Sequence, residues 1–245
     1  MRAVILAAGA ARRLAPLTDS IPKCLIKIGY KSLLENQLDA LQRYGIDEAL
    51  IVVGYLKEQI MQTIGNQYKT MSISYIENPN YATTNTVYSL WLAREYFAGQ
   101  DFFYFNADVL FHYSLIGKLL DAPCETALGV EVKPCGEEEV KVIVDNQGRI
   151  LRIGKKLDPA ECLGEFVGIA KFGASLTYDF AAALKAVIDE GLQMSFFEVA
   201  VDRILAKHAM YSIDISKIPV IEIDFPEDLE RARKQVYPKI VSVDE

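Results

Sequence analysis

The chain has 245 residues, 51% of them hydrophobic and 24% charged, the balance of an ordinary globular protein with room for one sizeable core. A net charge of −7 argues against a general nucleic-acid binder, which needs a basic face. Cys24, Cys124, Cys135 and Cys162 are scattered without a CxxC pair and only 2 histidines are present, so neither a disulfide framework nor a structural zinc site is indicated. The apolar run at the N-terminus is short and ends in two arginines, which reads as a strand and not a signal peptide. A cytoplasmic protein without membrane association is expected.

In chain order, Ala3 to Ala8 is a continuous apolar run that suits a strand covered on both faces. Ser32-Leu33-Leu34-Glu35 is a capping box, and Leu34, Leu38 and Leu41 recur at helical spacing before Gly45 ends the helix. Glu48 to Tyr55 predicts a second strand, Leu56 to about Ile64 a short helix, and Ser72 to Glu77 an alternating strand. Thr86 to Phe97 predicts a helix and Phe102 to Asp108 a buried strand. After about Cys124 strands follow in close succession: Thr126 to Val132, Val140 to Asp145, Ile150 to Ile153 and Phe166 to Phe172. Asn146-Gln147-Gly148 between two of them is hairpin chemistry. Helices return at about Leu176 to Glu190 and Phe196 to Lys207, then two short strands, then a helix from Pro226 to about Val236. The pattern predicts an α/β fold: a mostly parallel sheet with helices on both faces, plus a smaller antiparallel portion. No linker divides the chain, so one domain is expected over 1–245, with a nucleotide-binding half to about residue 124 and a substrate-binding half beyond it.

The chemistry concentrates near the N-terminus. Ala8, Gly9, Ala10 and Ala11 place no bulky side chain where the first strand stops, so a ligand can approach the backbone closely. Arg12, Arg13 and Lys23 supply positive charge beside those N–H groups, which suits a polyphosphate. The stretch is neither a Walker A loop nor a dinucleotide fingerprint. Asp108 ends an apolar strand in Asn106-Ala107-Asp108, where a carboxylate serves either magnesium on bound phosphates or the following turn. Asp224 lies at a strand end just before a helix opened by Pro226, whose first turn holds Glu227 and Asp228 for the helix dipole. Lys155 and Lys156 follow a strand, and Lys141 is a charge inside a strand pattern, explained equally by a site or by solvent. Asn85 offers an amide that can donate and accept at once, or cap the helix after it. Ser195-Phe196-Phe197-Glu198 reads as another capping box, which makes Glu198 structural. Trp91, with Tyr88 and Tyr96 nearby, could be a cage for a quaternary ammonium, but an aromatic helix face reads first as core.

As a whole string, Leu6 to Lys23 resembles the signature of the nucleotidyltransferase superfamily, roughly L-A-A-G-x-G-(S/T)-R-L-x-P-L-T followed by P-K. The matches are Leu6, Ala7, Ala8, Gly9, Arg13, Leu14, Pro16, Leu17, Thr18, Pro22 and Lys23, with Ala11 at the second glycine and Arg12 at the Ser/Thr position. Asn85, Tyr88, Ser89 and Leu90 are similar to the Asn-Asn-x-Tyr-Ser-Leu stretch of bacterial choline-phosphate cytidylyltransferases, with Thr86 differing. The resemblance implies a Rossmann-like nucleotidyltransferase fold that joins an NTP, CTP favoured, to a small phosphorylated or phosphonylated alcohol or amine and releases pyrophosphate. It implies Leu6, Ala7, Ala8, Gly9, Ala10, Asn85 and Asn106 as nucleotide contacts, and Arg13 and Lys23 beside the departing pyrophosphate. Lys155 would meet the acceptor phosphate, with Lys156 and Lys141 as substitutes, and Asp108 and Asp224 would hold Mg²⁺. Two alternatives stay open: a sugar-1-phosphate or inositol-phosphate nucleotidyltransferase, and a regulatory subunit that binds nucleotide or sugar without turnover. The acceptor's identity and any homo-oligomeric state are open as well.

Overall fold

The computed structural model describes residues 1–242. The chain enters as β1 (Arg2–Ala7), leaves through three single-turn 3-10 segments, and forms a small ribbon of β2 (Lys27–Ile28) and β3 (Lys31–Ser32). Helix α1 (Leu33–Arg43) starts at the expected capping box: Ser32 Oγ accepts from the Glu35 N–H, and the Glu35 carboxylate accepts from the Ser32 N–H at 2.7 Å. Gly45, at φ +68°, supplies the left-handed residue after the helix end. Then come β4 (Glu48–Val53), α2 (Lys57–Ile64), β5 (Gln67–Tyr68) and β6 (Met71–Glu77). The helix expected over Thr86–Phe97 is two pieces, α3 (Thr86–Leu92) and α4 (Arg94–Phe97), broken at Ala93.

Strand β7 (Phe102–Asn106) stops two residues short of Asp108, which stands in the tight turn before β8 (Val109–Phe111) and not at the end of the strand itself. Helix α5 (Ser114–Leu120) precedes the closely spaced strands β9 (Ala127–Glu131), β10 (Lys141–Val144), β11 (Ile150–Gly154) and β12 (Gly164–Phe172). The Asn146–Gly148 turn joins β10 and β11 as an antiparallel hairpin. The chain closes with α6 (Thr177–Asp189), α7 (Glu198–Ile204), β13 (Tyr211–Asp214), β14 (Val220–Glu222), α8 (Pro226–Arg231) and α9 (Tyr237–Ser242).

Among the described residues ten strands form one sheet, ordered β11-β10-β12-β7-β1-β4-β6-β5, with β9 pairing β12 and carrying β13. The core strands β7, β1, β4 and β6 run parallel, whereas β12 meets β7 antiparallel and begins the antiparallel portion. Alternate side chains of β1 divide between two apolar layers: Val4 and Leu6 toward α3 and α6, Ala3 and Ile5 toward α1 and α5. On the first face Phe97 stacks on Phe102 at 4.5 Å, and Phe172 stacks on both Phe102 and Phe180 at 5.1 Å. A third cluster joins Leu14 and Ile26 to Ile221, Ile223 and Leu229, so the C-terminal segment packs against the loop that follows β1. Among the described residues no helix is long and apolar enough to cross a membrane.

Candidate active site

Strand β1 is where the sheet changes its direction of growth, with β4 and β6 added on one side and β7 on the other. The loop after β1 and the turn after β7 therefore open into one crevice, tied where the Ala107 N–H donates to Leu6 O at 3.1 Å. A methyl added at Gly9 would meet nothing within 4 Å, so the backbone there faces open space. Ala11 sits at φ 46°, in the left-handed region, at the position where the superfamily signature has its second glycine. The Thr18 hydroxyl donates to Ala11 O at 2.9 Å and closes the loop on itself.

Three elements bring the carboxylates together. Gln37, buried on α1, donates its amide to the carbonyls of Asn106 at 2.9 Å and Val109 at 2.8 Å, clamping the turn that carries Asp108. Strand β14 pairs antiparallel with β8, Glu222 opposite Val109, and the Ile223 N–H donates to Asp108 O at 3.1 Å. Because side chains alternate along a strand, Ile223 turns into the core while Glu222 and Asp224 share the opposite side. Asp228 in the first turn of α8 accepts from the N–H groups of Asp224 at 3.2 Å and Phe225 at 2.9 Å, fixing the end of that segment. As a result Asp108, Glu222 and Asp224 each place a carboxylate oxygen within 4.8 Å of the others.

Lys23 sits among them, its Nζ 2.9 Å from Asp108 Oδ2 and 2.7 Å from Asp224 Oδ1. Burial opposes the charge on Lys23, but the two aspartates outweigh it and hold its pKa above the ordinary lysine value. Partial burial alone would raise Asp224, yet Lys23, with Arg13 and Lys155 beyond it, keeps that carboxyl below the usual range. Glu222 goes the other way: burial, then repulsion from Asp108 and Asp224, pushes it well above the usual range. Asp108 Oδ1 is buried with no hydrogen-bond partner among the described residues. A buried orphan oxygen facing two more carboxylates is a donor set that fits a divalent cation.

The cleft around this cluster encloses about 1020 Å³. Leu6, Ala8 and Gly9 line it on the strand side, with Arg13 and Lys23 beside them. Ala7 instead turns its methyl into the opposite core layer, and Ala10 is not among the lining residues. Arg13 reaches Asp224 at 3.2 Å and lies 5.1 Å over the Phe225 ring. Asn85 lines the cleft while also capping α3, its Oδ1 accepting from the Thr86 N–H at 2.8 Å, so its NH₂ is the end left to donate. Asn106 accepts from the Tyr104 hydroxyl, and a side chain at Gly168, which holds φ +74°, would collide with it at 2.5 Å.

Lys155 also lines the cleft, its Nζ 4.5 Å over the Phe196 ring and 3.9 Å from Glu138, which Arg13 approaches at 3.8 Å, whereas Lys156 is not among the lining residues. Lys141 is neither solvated nor in the cleft. It is 1% exposed and donates to the carbonyls of Glu137, Glu139 and Lys155, so its ammonium pins the backbone that carries Lys155. Trp91 packs against the core and does not line the cleft; Tyr81, Phe166, Phe196 and Phe225 are the aromatic rings that do.

Among the cleft residues outside the expected site, Glu222, Lys133 and Glu198 matter most. Glu222 is the third carboxylate of the cluster. Lys133 pairs with Glu131 at 2.7 Å and Glu165 at 2.6 Å, a set drawn from β9, β12 and the loop between β9 and β10. Glu198 does not form the expected capping box: the residue before α7 is Phe197, no side chain caps that end, and Glu198 lines the cleft at 4% exposure.

The sequence profile of the family described as nucleotidyl transferase matches residues 2–140. A CMP-5'-(3-aminopropyl)phosphonate synthase from Streptomyces rubellomurinus is 31% identical over 95% of this chain, which spans 38% of that relative's length. A choline-phosphate cytidylyltransferase from Streptococcus pneumoniae is 31% identical over 81% of this chain and 93% of its own. The solved CTP:phosphocholine cytidylyltransferase from Streptococcus pneumoniae has the same fold, with a TM-score of 0.78 at 24% identity over 95% of this chain and 97% of that one.

Proposed function

The chain belongs to the nucleotidyl transferase family, and we propose that it transfers the CMP moiety of CTP to a small phosphorylated or phosphonylated alcohol or amine, releasing pyrophosphate. The observation that carries this reading is one cleft holding the convergent carboxylates Asp108, Glu222 and Asp224, the cations Lys23 and Arg13, and a further cation, Lys155, which shares Glu138 with Arg13. The relatives whose names specify CMP transfer to a phosphonate or phosphocholine support the choice of nucleotide and acceptor.

In this reaction an acceptor oxygen forms a bond to the α-phosphorus of CTP as the bridging bond to the β-phosphate breaks, and that electron pair leaves with pyrophosphate. The attacking oxygen is already ionised near neutral pH, so no general base is required, consistent with neither histidine lining the cleft. Catalysis then rests on positioning and charge. Asp108, Glu222 and Asp224 would hold Mg²⁺, which when bound supplies positive charge against the triphosphate. Arg13 and Lys23 stand beside the loop backbone of Ala8 and Gly9, where they oppose the charge that grows on the departing pyrophosphate. Lys155, with its backbone fixed by Lys141, orients the acceptor phosphate.

Lys155→Ala is expected to raise KM for the acceptor by about tenfold or more while leaving KM for CTP nearly unchanged, because a charge-assisted hydrogen bond contributes roughly 1.5–3 kcal/mol. Steady-state kinetics with each substrate varied in turn measures this, and unchanged acceptor kinetics would remove Lys155 from the role. The Asn85 amide is expected to favour cytosine over uracil, and Asn85→Asp tests it cleanly. Aspartate keeps an oxygen to cap α3 but lacks the NH₂ donor, so stability should hold while the ratio of kcat/KM for CTP over UTP falls about tenfold to a hundredfold. An unchanged ratio would clear Asn85 of base selection.

The reading as a whole is tested by pyrophosphate release from CTP, UTP and dTTP against phosphocholine, 2-aminoethylphosphonate, inositol phosphate and glucose 1-phosphate. Fastest release is expected with CTP and a phosphorylated or phosphonylated amine. Equal or faster turnover of UTP or dTTP with glucose 1-phosphate would overturn it.

A further inference from the structure

We propose that Glu198 is the recognition point for a positively charged amine on the acceptor, so that the preferred acceptor is a zwitterion with its phosphate or phosphonate at Lys155 and its ammonium at Glu198. This deepens the cytidylyl-transfer reading and rests on it. Glu198 is the first residue of α7, yet no side chain caps that helix and the carboxylate is not spent on a capping box. Its Oε2 is buried with no hydrogen-bond partner among the described residues, although the residue lines the cleft. A carboxylate oxygen left without a hydrogen bond at 4% exposure is costly to maintain, and the cost is offset when a cation arrives to pair with it.

The surroundings favour an ammonium over a metal ion or a neutral group. Phe196, two residues before, is 38% exposed and shares the cleft wall, where a ring face attracts an organic cation. Lys155 already lies over that ring at 4.5 Å and is paired to Glu138 at 3.9 Å, so it is placed for the anionic end of the same ligand. Burial pushes the Glu198 carboxyl up to about 7, against the opposing pull of its own backbone N–H and of Lys155, and a bound cation would return it to the charged form. The segment before α7 is also joined to the nucleotide side: Phe197 N–H donates to Thr86 Oγ1 at 2.9 Å and Asn85 N–H to Gln193 O at 2.9 Å. The wall holding the carboxylate is thereby fixed relative to Asn85.

The test compares 2-aminoethylphosphonate with propylphosphonate, which replaces the ammonium by a methyl group, with CTP as the other substrate. The wild-type protein should show kcat/KM higher for the amine by about tenfold to a hundredfold. In Glu198→Gln, which keeps the shape and removes the charge, that ratio should collapse toward one, with KM for CTP unchanged. Glu198→Asp, which keeps the charge, should retain part of the preference and guards against loss of fold in the glutamine variant. Equal kcat/KM for the two acceptors in the wild-type protein, or an undiminished ratio in Glu198→Gln, would overturn the assignment while leaving cytidylyl transfer intact. No CTP-dependent pyrophosphate release with any acceptor would overturn the parent reading and this one with it.

Discussion

Asp108→Ala and Asp224→Ala should each lower kcat by about 10² to 10³ while leaving the fold in place. Both side chains point into the cleft, 25% and 39% exposed, so neither supports the core. The contacts that hold their backbones do not involve the carboxylates. The Ile223 N–H bonds the Asp108 carbonyl, and Asp228 anchors the Asp224 N–H. What each substitution removes is one of the three converging carboxylates proposed to hold a cation against the triphosphate. Measured kcat, together with the melting temperature and circular dichroism of each variant, checks this. A variant that stays folded and keeps more than about a tenth of wild-type turnover would release its aspartate from the role.

Lys23→Ala should lower kcat by a comparable factor, about 10² or more, with a smaller change in KM for CTP, because charge on the leaving pyrophosphate grows toward the transition state. The same substitution has a structural consequence that the aspartate variants lack. In the absence of nucleotide, Lys23 neutralises Asp108 and Asp224 at 2.9 and 2.7 Å, and Glu222 stands beside them. Without the ammonium, three carboxylates repel one another. The loss for a fully buried pair is about 3–5 kcal/mol, and solvent access at Asp224 brings the expectation here to about 1–3 kcal/mol. The melting temperature should fall accordingly and recover in part when a divalent cation is added. A Lys23→Ala protein as stable as the wild type, with cation making no difference, would mean that Lys23 does not balance this cluster.

Elements set by short-range patterns were legible in the sequence. The Ser32–Glu35 capping box, Gly45 and the Asn146–Gly148 hairpin depend on residues within a few positions of one another, and each forms as expected. The same locality explains the error at Glu198. Ser195 to Glu198 has the right residues for a capping box. Val87 N–H and Asn85 N–H, however, bond the carbonyls of Ser195 and Gln193, and Thr86 Oγ1 takes the Phe197 N–H. Tertiary bonds to α3 therefore set the start of α7, and the carboxylate is released into the cleft.

Glu222 had a legible signal. In Glu222-Ile223-Asp224 the period of two places both acids on one side of a strand whose middle residue is apolar. Their partner Asp108 could be guessed from its place just past an apolar strand, but their meeting depends on the β8–β14 ladder, a pairing across more than a hundred positions that no local pattern encodes. Lys141 stood out as a charge in a strand pattern, yet its partners are backbone carbonyls, which carry no side-chain signature. The Lys133–Glu131–Glu165 group is likewise assembled by strand order alone.

Competition between substrates checks whether this cleft joins CMP to a phosphorylated or phosphonylated amine. The protein is incubated with Mg²⁺, equal concentrations of CTP, UTP, dTTP, ATP and GTP, and both 2-aminoethylphosphonate and glucose 1-phosphate, and the products are identified by mass spectrometry. CMP-(2-aminoethyl)phosphonate is expected as the dominant product, formed in step with pyrophosphate. A nucleoside diphosphate glucose as the dominant product would contradict it.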